Sequence, residues 1–234
     1  MDDYEATLVV DWFLEIEQRL SNLLQITRLT PSSRELPLPP LANVIVDAGS
    51  LVDTVFRDNC VSRKKRKNLG IVDFHIYFEP LLNLSRQRSV ILEVPLETIA
   101  PFADWNDPAT GDYSAIDWWQ DYNKLKHDRI AEHSRATMMT AIKTVCALQQ
   151  VLSFLPEFKK ALLSSDLLSF GDWSRAYALD VIQDPQNKEV TVLVESKLFV
   201  TPVGVEQFPE DPKKISGILV HGSRKLVRFL GPPF

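Results

Sequence analysis

The residues best equipped for chemistry fall in one short run. Tyr122-Asn123-Lys124-Leu125-Lys126-His127-Asp128-Arg129 brings together an imidazole, an amide and three cations, and Trp118 and Trp119 precede it. His127, with an unperturbed pKa of about 6.5, can move protons near neutral pH. Lys126 and Arg129 can neutralise a phosphate. Asn123, one helical turn before His127, can orient that phosphate or a bound ribose. Trp119 and Tyr122 offer a wall on which a base can stack. The plainer alternative is that the tryptophans pack in a core and the polar groups hydrogen-bond to neighbouring loops.

The element expected to position these groups is a long helix. Residues 114–155 contain no Gly and no Pro, between Gly111 and Pro156, and Ser114 with Asp117 three residues on suggests a cap. The spacing predicts one helix of about 40 residues, roughly 60 Å at 1.5 Å per residue. One face carries Met138, Ala141, Val145, Leu148, Val151, Leu152 and Leu155. Followed towards the N-terminus, that face carries Trp119, Tyr122, Asn123, Lys126, His127, Arg129, Ile130, His133 and Ser134. Asp121, Lys124, Asp128, Glu132, Arg135, Lys143 and Gln150 form the expected wet side. Polar and titratable groups therefore stand where packing is expected, which points to a site or an interface.

Tyr122-Asn123-Lys124-Leu125-Lys126-His127, within a long helix of an α-helical domain, resembles the motif region of HEPN domains. The family signature is an Arg, commonly followed by Asn, then a His after four to six intervening residues. Asn123 and His127 match the Asn and His positions, and Tyr122 stands at the Arg position. The resemblance covers about residues 1–165 in general character. It implies a helical bundle, often dimeric, that binds RNA or nucleotide. It also implies a metal-independent endoribonuclease of the toxin–antitoxin or phage-defence kind, weakened or lost here with the motif Arg. His127, Asn123 and Lys126 are then the catalytic set, and Tyr122, Arg129 and Trp119 the substrate contacts. A homodimer with Lys126 and His127 near its axis is expected, as is a protein partner encoded nearby. A non-catalytic, dimeric protein–protein interaction module is the alternative.

The totals narrow the other classes. The chain has 234 residues, 45% hydrophobic and 24% charged, enough for one large domain or a domain with an appendage. A net charge of −5 means that any nucleic-acid binding must use a local patch. Five consecutive cations, Arg63, Lys64, Lys65, Arg66 and Lys67, provide one and join the candidate substrate contacts, although a helix C-terminus favours such charge anyway. His127 and His133 are six apart, turned ~240° from each other on a helix, so no metal is expected. The eight glycines form no phosphate-binding loop or dinucleotide fingerprint, so no cofactor is expected either. Two distant cysteines, an acidic N-terminus and the lack of an apolar run long enough to span a bilayer suggest a cytoplasmic protein without membrane contact.

Along the chain, residues 3–28 and 41–56 carry helical stripes, with a Pro-rich loop over 30–40. Residues 71–80 suit a strand or a short helix, 90–101 read as extended, and 157–168 as a short helix. Hairpins are expected over 178–194, which 198–200 can extend, and over 215–229. The expected fold is mainly α, a HEPN-like helical bundle over 1–170 with one very long helix at about 114–155. A small β-rich C-terminal appendage over 171–234 completes it.

Overall fold

The structure is a computed structural model that describes residues 1–60, 69–93, 95–107, 116–169, 192–204, 207–211 and 214. The basic run 63–67, the first arm of the 178–194 hairpin and the 215–229 hairpin lie outside the described residues. The described chain is mainly helical, with a five-stranded antiparallel sheet. It divides into two compact units. Of the described residues, one unit comprises those within 15–87 and 100–148, and the other those within 2–14, 88–99, 149–169 and 192–214.

Helix α1 (Asp3–Thr27) opens on a reciprocal cap. The Asp2 N–H donates to the Glu5 carboxylate at 3.0 Å and the Glu5 N–H to the Asp2 carboxylate at 2.8 Å. Its stripe of Val9, Phe13, Ile16, Leu20 and Leu24 is buried. Helix α2 (Pro39–Asn59) starts at Pro39, where a missing N–H costs nothing. Leu41, Val44, Ala48, Val52, Val55 and Phe56 make its buried face.

The ambiguous segment is a helix, α3 (Ile71–Leu82). A strand would have buried Val72 and Ile76 with Phe74 and Phe78 on one face; instead only Phe74, His75 and Phe78 are buried. Phe74 and Phe78 lie 5.2 and 4.6 Å from the Phe56 ring, so the i, i+4 pair decides the period. Pro80 falls in the last turn, where it withholds an N–H from the Ile76 carbonyl just before the helix stops, and Asn83 ends the helix in the left-handed region.

The single long helix is not formed. Helix α4 (Asp117–His127) and helix α5 (Met138–Phe154) are separate, joined by a turn and a 3-10 segment, His133–Arg135. Asp128 stops α4: its carboxylate accepts the N–H groups of Ile130 at 3.1 Å and Ala131 at 2.9 Å, a local alternative to helical bonding. The loop before α2 then holds the connecting backbone. The Leu38 N–H donates to the Ala136 carbonyl at 3.0 Å, the Met139 N–H to the Arg34 carbonyl at 3.0 Å, and Pro37 bridges Thr137. Thr137 caps α5 by accepting the Thr140 N–H at 3.2 Å. Helix α5 folds back along α4, since Lys143 pairs with Asp117, 26 residues earlier, and Thr140 donates to Asp121 at 3.1 Å. On one straight helix those 26 residues would span ~39 Å.

In the second unit the sheet order is β2-β1-β5-β4-β3, with every neighbour antiparallel. The strands are β1 (Ser89–Ile91), β2 (Glu97–Ile99), β3 (Leu168–Ser169), β4 (Val192–Glu195) and β5 (Phe199–Val203). Two strands thus come from the middle of the chain, and the segment after residue 170 does not build the sheet alone. Burial does not alternate along β1, β4 or β5, so both faces of the centre are covered. Val90, Leu92, Leu193, Val200 and Phe208 pack together there. Helix α6 (Lys159–Ser164) follows a 3-10 turn at Pro156–Phe158. Among the described residues no single helix is long and apolar enough to cross a membrane.

Candidate functional site

The candidate run divides within α4. Trp118, Trp119, Tyr122 and Leu125 are buried, so the expected stacking wall is part of the core. Trp119 meets Phe74 edge-on at 6.1 Å and Tyr122 at 5.3 Å, while the Trp118 indole donates to the Pro101 carbonyl at 2.8 Å. The physical reason is volume: each ring buries a large apolar area, and burial outweighs the solvation of one indole N–H or phenol O–H when that group finds a partner.

Tyr122, at the motif Arg position, lies against α2. A Cβ added at Gly49 would stand 2.5 Å from the Tyr122 ring, so α2 carries a glycine where the ring crosses its backbone. The Tyr122 hydroxyl accepts a hydrogen bond from the Lys126 ammonium at 2.8 Å, which also stands 5.1 Å from the ring centroid. Asp53 of α2 is 3.9 Å from the same ammonium and accepts from Arg57 at 2.9 Å. Lys126 is therefore half-exposed and shared between a phenol and a carboxylate. The Asn123 side-chain amide donates to the Trp119 carbonyl of its own helix at 3.0 Å, one turn back.

His127 and Arg129 lie on the surface. His127 is the last residue of α4, where positive charge is favoured, and shares the final turn with Lys124 and Lys126. Among the described residues its ring makes no hydrogen bond or ion pair. Arg129 donates to the Asn43 side chain of α2. Between them and α5 runs a braced turn. His133 hydrogen-bonds the Ile130 carbonyl at 3.0 Å, and Arg135 donates to Glu132 at 2.6 Å and to Asp121 at 2.7 Å. Those two carboxylate bonds raise the Arg135 pKa above its ordinary value. Ile130 projects from this turn 88% exposed.

The expected wet side is corrected at several places. Asp121, Glu132 and Arg135 are only part-exposed and form the brace just described. Gln150 is wholly buried and donates to the Ser89 hydroxyl at 2.9 Å. Asn43, Gly49 and Asp53, all on α2, were not singled out from the sequence. The lone glycine inside a helical stripe and the Asp53–Arg57 i, i+4 pair were the available signals.

Among the described residues the arrangement supplies one imidazole without a partner and one neighbouring guanidinium that already donates to Asn43. The amide, the phenol and the nearer ammonium are occupied. Among the described residues no group of three His, Cys, Asp or Glu side chains could hold a metal ion. No protein-family model, curated protein or solved structure matches the chain.

Proposed function

We propose that the chain is a non-catalytic protein–protein interaction module, dimeric, that uses the braced turn after α4 as contact surface. The observation that carries this reading is the engagement of the run by its own fold. Tyr122 is buried with its hydroxyl bonded, Lys126 is held by Tyr122 and Asp53, and Asn123 is bonded to its own helix. Among the groups left outward is an apolar anchor, Ile130, preceded by His127 and Arg129 on a turn tied at Asp128, His133 and Arg135. An apolar side chain held on a braced turn with polar neighbours suits an interface, because little conformational freedom is lost on docking.

The HEPN-like reading, RNA binding with residual metal-independent cleavage, asks for an open stacking surface and charge beside a phosphate. Buried Trp119 and Tyr122 and an occupied Lys126 give it less support. Sedimentation at micromolar concentration and RNA cleavage in EDTA separate the two. The module reading expects a dimer that Ile130→Asp converts to monomer, and no cleavage. Cleavage in EDTA abolished by His127→Ala, with the fold intact, would overturn it.

A further inference from the structure

Helix α1 shows an aromatic face to solvent in its first half. Tyr4, Leu8 and Trp12, one turn apart each, line up along the outside of the helix, with Leu8 half-buried between the two rings. Tyr4 is 71% and Trp12 51% exposed, whereas Trp105, Trp118 and Trp119 are buried. Trp and Tyr are the side chains that most often anchor protein contacts. The same stretch is acidic. Asp2, Asp3, Glu5 and Asp11 are exposed, and no Lys or Arg precedes Arg19. Asp2 and Glu5 are engaged in the cap, and Asp3 pairs with Lys160 at 2.7 Å. Asp11, beside Trp12, has no hydrogen bond or ion pair among the described residues.

The end of α4 and the turn after it carry the opposite charge. Lys124, Lys126, His127 and Arg129 are exposed there, against one exposed carboxylate, Asp128, which is turned onto the N–H groups of Ile130 and Ala131. Among the described residues Lys124 makes no ion pair, and Arg129 donates only to the neutral Asn43. Ile130 follows them, 88% exposed. We propose that the aromatic face of α1 docks on the turn after α4 of a second copy of the chain, Ile130 meeting Tyr4 and Trp12 and the cations meeting Asp11. This docking rests on the interaction reading above and names what covers the turn.

Charge selects the crossed pairing over the two like-with-like ones. Helix α1 against its own copy would set carboxylate opposite carboxylate, and turn against turn would set Lys124 and Arg129 opposite themselves. Like charges juxtaposed across an interface disfavour it. Crossing the two surfaces turns both repulsions into attraction and offers the Trp12 indole a cation, which its face attracts. In a two-fold pair the crossed contact is made twice, so the exposed apolar groups of both surfaces are covered on each copy and no end stays open. The acidic face also opposes the anionic alternatives, a nucleic acid or an acidic bilayer.

The test is sedimentation velocity at micromolar concentration of the full chain, of Trp12→Ala, of Ile130→Asp and of a 1:1 mixture of those two variants. The full chain is expected as a dimer. Each variant alone damages both crossed contacts, and its dissociation constant should rise about thirtyfold or more. In the mixture the turn of one variant and the α1 face of the other are both intact. A heterodimer with one sound contact should therefore form where each variant alone is monomeric. Asp11→Lys should weaken the dimer about tenfold at low salt, and less as salt rises. Because Trp12 and Ile130 are exposed, the variants should keep their helical circular dichroism; Tyr4→Ser replaces Trp12→Ala if that one does not. Loss of the dimer in Ile130→Asp with Trp12→Ala still dimeric would overturn this docking and leave the turn as a contact surface. A mixture no more associated than either variant would overturn it too, as would indifference to Asp11→Lys at low salt. Mass growing past two copies would overturn the closed pair. A monomeric full chain would overturn both this docking and the reading beneath it.

Discussion

Helices α4 and α5 both carry polar side chains beside their packing residues, and they dispose of them in opposite ways. In α5 Thr144, Gln149 and Ser153 go inside and are paired, while the buried Gln150 is bonded only through its amide nitrogen among the described residues. Thr144 and Ser153 return hydrogen bonds to carbonyls one turn back, at 2.7 Å each. The Gln149 amide donates to Ser196 and to the Phe199 carbonyl at 3.2 Å each, and its oxygen accepts from Thr201 at 2.7 Å. In α4 the aromatic residues go inside, while His127 and the turn after it stay in water. Polar groups on a packing face thus do not by themselves mark a reaction centre. A buried amide that meets strand carbonyls is structural, and an imidazole at a helix end is a surface group.

The largest expected effect lies at the aromatic half of α4. Tyr122→Ala should cost about 3–5 kcal/mol in denaturant unfolding, through the lost ring and the cavity beside Gly49. A loss below about 1 kcal/mol would mean that the ring is not packed as described. On the other side of the comparison, Gln149→Ala should cost about 1–3 kcal/mol, because Thr201 and the strand carbonyls lose a buried partner.

Thr137→Ala should cost about 1 kcal/mol by removing the α5 cap. That prediction sharpens the comparison, since Thr137 has no capping role if 114–155 is one helix. His127→Ala should change stability by less than about 0.5 kcal/mol, as an exposed residue without a partner among the described residues.

The smallest effect concerns Glu93, whose pKa is raised mainly by burial and partly restored by Lys197. A raised folded value means that the fold favours the protonated form. Its stabilisation is full below the unfolded pKa and is lost as pH rises through the folded one. Glu93→Gln should therefore raise stability slightly at neutral pH and remove that loss, as thermal melts across the acid range would register.

Legibility followed the locality of the signal. The stripes of α1 and α2 show in the sequence because each helix buries one continuous face, Val9 to Leu24 and Leu41 to Phe56. The extended character of 90–101 and of 198–200 was also readable from β-branched and apolar residues. The pairing of Val90 with Val200 was not, because nothing local ties residues 110 positions apart. The break after His127 was hidden because it uses neither Gly nor Pro. Asp128 and Thr137 make it with their side chains, and the backbone of the loop around Arg34 and Leu38 completes it. At the candidate site the residue types were plain, but their engagement was not. Whether Tyr122 is a wall for a base or a core ring depends on Gly49 and Asp53, more than 65 positions earlier.

The reassignment of the run rests on α4 and α5 being a folded-back pair, and a distance measurement tests that most directly. Spin labels at positions 117 and 143, on the exposed Asp117–Lys143 pair, can be read by double electron–electron resonance. The folded-back pair predicts a short separation set by the labels themselves, since the native side chains touch. A narrow distribution near ~39 Å, the length of 26 helical residues, would contradict it and restore the continuous helix.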